Sequence, residues 1–148
     1  IVARQWVDME PDMEFRCFVL GGDLVAISQY RHLIYFPRLV SSAQHVLSVI
    51  VAFFESTCLP RLQGIFPSDD YVIDLAVELD DSCGPETILV EPVGGTGISS
   101  HIKRVWAVEV NPYSETTDGC LYSWKHDAQL LLSGALLAVS RGSAPLRS

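Results

Sequence analysis

Residues 13–30, MEFRCFVLGGDLVAISQY, place two runs rich in Phe, Val and Ile on either side of Gly21-Gly22-Asp23. Two such runs around a glycine pair predict a β-hairpin, because a tight turn needs positive φ that glycine adopts without strain. Side chains alternate faces along a strand. The first strand therefore puts Phe15, Cys17 and Val19 on one face, with Glu14 and Arg16 on the other. The second strand is expected to carry Val25, Ile27 and Gln29 on one face.

Outward from the hairpin, YRHLIYFPRL (30–39) reads as a connector interrupted by Pro37. Ser41 or Ser42 can then cap a helix through about Cys58, with Val46, Ile50, Phe53 and Phe54 at helical spacing and Pro60 ending it. RLQGIFPSDD (61–70) is a loop and YVIDLAVEL (71–79) a strand. A long excursion rich in Gly, Ser and Pro occupies 80–103. Its GGTG (94–97) matches neither phosphate-cradle spacing and reads as an exposed loop. The strand RVWAVEV (104–110) follows, then an apolar helix from near Lys125 and a frayed tail at 141–148. Hairpin, helix, strand, loop, strand and helix in that order, with no repeats, predict one α+β domain over 1–148 with a largely antiparallel sheet.

The 148 residues are 49% apolar, enough for a real core. A formal net charge of −8 with scattered Lys and Arg argues against binding to a duplex nucleic acid. Cys17, Cys58, Cys83 and Cys120 are far apart and share no ligand spacing with the histidines. Reduced thiols in a cytoplasmic protein are the expectation, and a structural zinc site is not. VLSVIVAFF (46–54) and LLLSGALLAV (130–139) are each about half of the roughly 20 residues a membrane span needs, so buried helices are expected.

Polar groups interrupt two of the strands. Glu109 and Asn111 share a face, roughly 7 Å apart, while Trp106, Val108 and Val110 are expected on the core face. Asp74 interrupts its own strand with Ile73, Leu75 and Val77 opposite it. If the two strands are neighbours, Asp74, Glu109 and Asn111 converge. Two carboxylates and an amide are hard oxygen ligands of the kind magnesium prefers beside nucleotide phosphates. The same residues equally suit the solvated face of a half-exposed sheet, with Asn111-Pro112 making a turn.

In order along the chain, MEFRCFV, GGDLVAISQ, YFPRL, YVIDLAV and RVWAVEVNPYSETTDGCLYSW resemble the cell-division-cycle-123 family, from about Arg4 to Trp124. The resemblance implies the C-terminal half of an ATP-grasp fold, in which two α+β halves clamp ATP and magnesium. It also implies a chaperone-like role in assembling eukaryotic translation initiation factor two through its gamma subunit. By position, Asp74, Glu109 and Asn111 match the family's magnesium-binding set. Arg16 would face the phosphates, although it serves equally well as the cross-strand ion-pair partner of a carboxylate. VARQW, in a hinge-like segment at 1–7, would bring Arg4, Gln5 and Trp6 near the adenine. Asp118 reads as a turn or cap residue and Trp124 as core.

The chain departs from the pattern where Tyr30 replaces an arginine, where Glu109 replaces the usual aspartate, and in the length of the 80–103 loop. The family's first half, with its lysine and glycine-rich phosphate cover, is expected to lie outside this sequence. Three activities remain open: a magnesium–ATP-binding half, a non-catalytic interaction module that keeps the fold, and an ATP-grasp ligase. No residue identifies an acceptor or nucleophile for the last.

Overall fold

A computed structural model describes Trp6, residues 8–79 and residues 102–133. Arg4, Gln5 and the rest of the hinge-like segment apart from Trp6, residues 80–101 of the long loop, and residues 134–148, which include the second half of the expected final helix and the tail, lie outside the described residues. Four strands form one sheet in the order β2-β1-β3-β4, every neighbouring pair antiparallel. They are β1 (Glu14–Leu20), β2 (Asp23–Gln29), β3 (Tyr71–Leu79) and β4 (Ile102–Pro112). The helices are α1 (Pro37–Phe53), α2 (Leu59–Leu62) and α3 (Ala128–Ser133), with a π-helical turn at Phe54–Cys58 joining the first two.

The hairpin forms as expected, and its turn is two residues long. Gly21 and Gly22 both take positive φ (59° and 82°), and Asp23 already pairs with Leu20. The turn is tied to the entrance of β3, where the Asp70 carboxylate accepts the Gly21 N–H at 2.7 Å.

One sheet face is covered by helix. Phe15, Cys17, Val19, Ile73, Leu75 and Val77 pack there against Val46, Ile50, Phe54 and Cys58. The helix differs from its sequence reading at both ends. Pro37 starts it, since its missing N–H is one that a first helical residue does not need. Ser41 and Ser42 sit inside, their hydroxyls donating back to the Arg38 carbonyl at 3.0 and 2.9 Å. Pro60 does not stop the run, because the π-helical turn before it changes the hydrogen-bond register just where the proline lacks a donor. The chain leaves the helix at Gly64, which takes φ 76°. Joined in this way, Pro37–Leu62 makes 26 helical residues, long and apolar enough to cross a membrane by length and composition, contrary to the expectation from either apolar run alone.

The other face is covered at one end by residues 113–133. Phe18, Val25, Ala26, Val72 and Leu131 are buried there beneath Tyr113, Tyr122 and Trp124. The Phe18 ring meets Tyr122 and Trp124 edge-on at 5.4 and 5.7 Å between centroids. Such aromatic pairs add stabilisation beyond the area they bury. Trp124, expected in the core, is half-buried over that cluster, and its Nε1–H donates to the Thr117 carbonyl at 2.6 Å. Gly119 is required in this cover: a Cβ there would lie 2.1 Å from the Tyr122 carbonyl oxygen. The final helix begins at Ala128, three residues later than expected, after a turn in which the Asp127 carboxylate accepts the Ser123 N–H at 2.8 Å.

Among the described residues three register shifts interrupt the sheet, at Val25 in β2 and at Lys103 and Val108 in β4, and those at Val25 and Val108 change faces read from the sequence. In β2, Phe18 pairs with Ala26 and Val19 with Leu24, so Val25 is the extra residue. Val25 joins the aromatic face and Ile27 the helix face, so the two do not share a face as expected. In β4, Asp74 pairs with Glu109 but Leu75 pairs with Ala107, leaving Val108 as the extra residue. β4 also begins at Ile102, slightly before the predicted end of the loop.

Candidate metal and nucleotide site

Directly opposed residues in antiparallel strands share a face. Ser28, Arg16, Asp74 and Glu109 are opposed in sequence across all four strands, so they form one polar row on the face away from α1. Asn111, two residues beyond Glu109, is on that face too, opposite Val72.

The centre of the row is an ion pair. Arg16 Nε–H and Nη2–H donate to Asp74 Oδ1 and Oδ2, both at 2.8 Å. The two side chains are 5% and 2% exposed, so the charges have left water together. Arg16 Nη1 donates to the Asp118 carbonyl at 2.7 Å, and the guanidinium lies 4.8 Å from the Tyr30 ring centroid. Asp118 is a turn residue, as read: its carboxylate accepts the Cys120 N–H at 2.9 Å. That turn places Cys120 at φ 53°. Beside the pair, Asn111 Nδ2 donates to Glu109 Oε1 at 2.9 Å and to Asp74 Oδ2 at 3.4 Å.

Negative charge is in excess here. Burial pushes the Asp74 carboxyl above its ordinary value; Arg16 opposes that shift and Glu109 reinforces it. Burial also raises Glu14, on the same face, with Asp74 adding to the effect. Two guanidiniums, Arg16 and Arg31, therefore serve a patch of three carboxylates, and an added cation would relieve it. Among the described residues no three His, Cys, Asp or Glu side chains gather into a metal cluster. The candidate set is thus two carboxylates and an amide, which suits magnesium, an ion that keeps several waters and takes few protein ligands. The Asn111 amide now stands between Asp74 and Glu109, where such a cation would act.

Along β3 from Asp74, a cavity of about 340 Å³ opens between residues 8–11 and the end of the sheet. Ala76, Glu78 and Trp106 line it together with Asp8 and Pro11. Trp106 was expected on the core face. The bulge at Val108 shifts its phase, so it opposes Ala76 and its Nε1–H donates to Glu78 Oε2 at 3.0 Å. Glu78 also accepts from Lys103 at 2.5 Å, and Arg104 lies 4.8 Å from the Trp106 ring centroid.

The pattern of the D123 family matches residues 1–133. This chain belongs to the D123 family. The translation initiation factor eIF2 assembly protein of Xenopus tropicalis is 28% identical over 124 residues, 84% of the D123 chain described here and 29% of that relative. Cell division cycle protein 123 of Phaeosphaeria nodorum is 32% identical over 124 residues, again 84% of this chain and 26% of the relative. The structure of C-terminally truncated Cdc123 from Schizosaccharomyces pombe superposes with a TM-score of 0.56 at 25% identity, covering 84% of this chain and 37% of that one. The D123 chain thus spans less than a third of the length of these curated relatives.

Of the residues predicted for the site, Asp74, Glu109 and Asn111 meet as expected, and Arg16 joins them. Its guanidinium is turned onto Asp74, which is the ion-pair alternative. Trp6 is 87% exposed, and Arg4 and Gln5 lie outside the described residues. Sequence reasoning missed Tyr30 and Trp106. Tyr30 was noted only as a lost arginine, yet in this D123 chain its ring covers the remaining one.

Proposed function

We propose that this chain is a magnesium–ATP-binding half of a D123-family protein that assists assembly of translation initiation factor two. The observation that carries this reading is the meeting of Asp74, Glu109 and Asn111 on one sheet face. The cavity beside Trp106 starts two residues along β3, roughly 7 Å away, a span suited to a base and its phosphates. In this reading Asp74, Glu109 and the Asn111 amide oxygen, after the amide turns over, hold the cation. The cation supplies charge neutralisation of the triphosphate. Trp106 offers a ring face for the base and is oriented by Glu78. Names of the relatives point to initiation factor two as the partner, and the gamma subunit is the proposed contact. Calorimetric titration with ATP, with and without magnesium, tests the reading. Saturable magnesium-dependent binding that Asn111→Ala weakens at least tenfold is the expected result; equal, magnesium-independent heats would overturn it.

One observation favours a second reading, an interaction module without productive nucleotide binding. The bidentate Arg16 pair already engages both Asp74 oxygens. Capture of the gamma subunit that is equal with and without nucleotide, and unchanged by Asn111→Ala, would favour that module.

A further inference from the structure

The arrangement of Arg16 has a consequence for how the site fills. Each Asp74 oxygen accepts one guanidinium N–H at 2.8 Å, and Oδ2 also receives the Asn111 amide. A magnesium ion binds oxygen at about 2.0–2.1 Å and demands near-octahedral geometry. A cation that close to Asp74 would sit beside a buried guanidinium of the same sign, which disfavours both. Arg16 has somewhere else to stay. Its Nη1 is held by the Asp118 carbonyl at 2.7 Å, and its plane is covered by Tyr30. Both contacts lie apart from the edge, Nε and Nη2, that grips Asp74. That edge is the planar fork that also matches two phosphate oxygens.

We propose that Arg16 is a resident counter-ion that a divalent cation must displace from Asp74, and that its freed edge then takes an anionic phosphate group. The inference rests on the metal site proposed above. Metal alone must break the ion pair, and so must phosphate alone. When both bind, each receives what the other has released: the metal takes the carboxylate and the phosphate takes the guanidinium. Arg16 thereby lowers the affinity for either ligand alone and makes their binding cooperative, a coupling that is reciprocal by thermodynamic necessity.

The test is a binding cycle on the full chain. Manganese is titrated by electron paramagnetic resonance, alone and with saturating inorganic triphosphate, for the wild type, Arg16→Gln and Arg16→Lys. The wild type is expected to bind manganese at least tenfold more tightly with triphosphate than without, after correction for manganese held by free triphosphate. Arg16→Gln is expected to bind manganese alone at least tenfold more tightly than the wild type and to lose most of that coupling. Arg16→Lys, which keeps the charge without the fork, should fall between them, and it decides the matter if the glutamine variant does not fold. Manganese binding by Arg16→Gln equal to or weaker than the wild type would overturn the inference while leaving the metal site standing. Binding by the variant alone, with none in the wild type with or without triphosphate, would overturn the coupling and defeat the proposed function. No binding by any of the three would overturn both.

Discussion

The two faces of this sheet come from the same strands and are held by different forces. On the helix face, β1 and β3 contribute Cys17, Ile73 and Leu75 to an apolar layer closed by Val46, Ile50 and Phe54. One residue along each strand, Arg16 and Asp74 make a buried ion pair on the opposite face. Burial of apolar area is non-directional and tolerates small shifts. A buried pair stabilises only while both partners and their remaining hydrogen bonds are in place, because each charge has lost its water. The helix face can therefore be built from composition, whereas the polar face depends on single contacts.

The sharpest way to break this contrast is Asp74→Ala, which strands the Arg16 charge in the interior. A loss of about 3–5 kcal/mol is expected from urea denaturation. A loss below about 1 kcal/mol would mean that Arg16 finds water or another partner, and the pair would not be what holds that face. Ile50→Ala, fully buried on the other side, leaves a cavity and should cost about 2–5 kcal/mol. Its cost should be the same at low and high salt. A marked salt dependence would show that the helix face is not held by burial alone.

Smaller effects test the periphery of the polar face. Tyr30→Ala removes the ring over Arg16 and should cost about 1 kcal/mol by the same measurement, with Tyr30→Phe nearly neutral. Loss on changing to Phe would point to the hydroxyl instead of the ring. The least effect belongs to Glu78, whose pKa is lowered first by the Lys103 ammonium and then by the Trp106 N–H. A carboxyl lowered on folding contributes stability that is complete above its unfolded pKa and is lost as pH falls through the folded value. Glu78→Gln should therefore slightly reduce the fall in denaturation midpoint between about pH 6 and about pH 3. An unchanged fall would mean that the exposed pair adds nothing.

Much of the architecture was legible because its signals are local. Gly21-Gly22 between two alternating runs specifies a hairpin, and the alternation of β1 and β3 assigned Cys17, Arg16, Ile73 and Asp74 to their faces. Asp74, Glu109 and Asn111 could be brought together on paper because adjacent strands fix which residues oppose one another. Helix ends were harder. Proline starts helices as well as ending them, so Pro37 was read as an interruption, and Pro60 as a stop, without knowledge of the π-helical turn. The Arg16–Asp74 pair was one of two open alternatives. It joins residues 58 apart in sequence, on strands whose adjacency follows from the helix crossing over and not from any local pattern. Val25 and Trp106 were misplaced because a bulge inserts one residue without a marker in composition.

From Arg104 onward, the bulge at Val108 makes β4 two alternating patterns spliced out of phase. Before it, odd-numbered Val105 and Ala107 oppose helix-face residues of β3, and Trp106 opposes Ala76. After it, even-numbered Val110 opposes helix-face Ile73, while odd-numbered Glu109 opposes Asp74. Deleting Val108 would join the halves into one regular alternation, with Ala107 still opposite Leu75 and Glu109 still opposite Asp74. Only the local bend and added twist of the bulge would be lost. Taking Val108 into the regular register would do the reverse: Val108 would take the place opposite Asp74, and Glu109 and Asn111 would turn into the apolar layer. The extra residue therefore works as a frameshift that keeps inside and outside in their places.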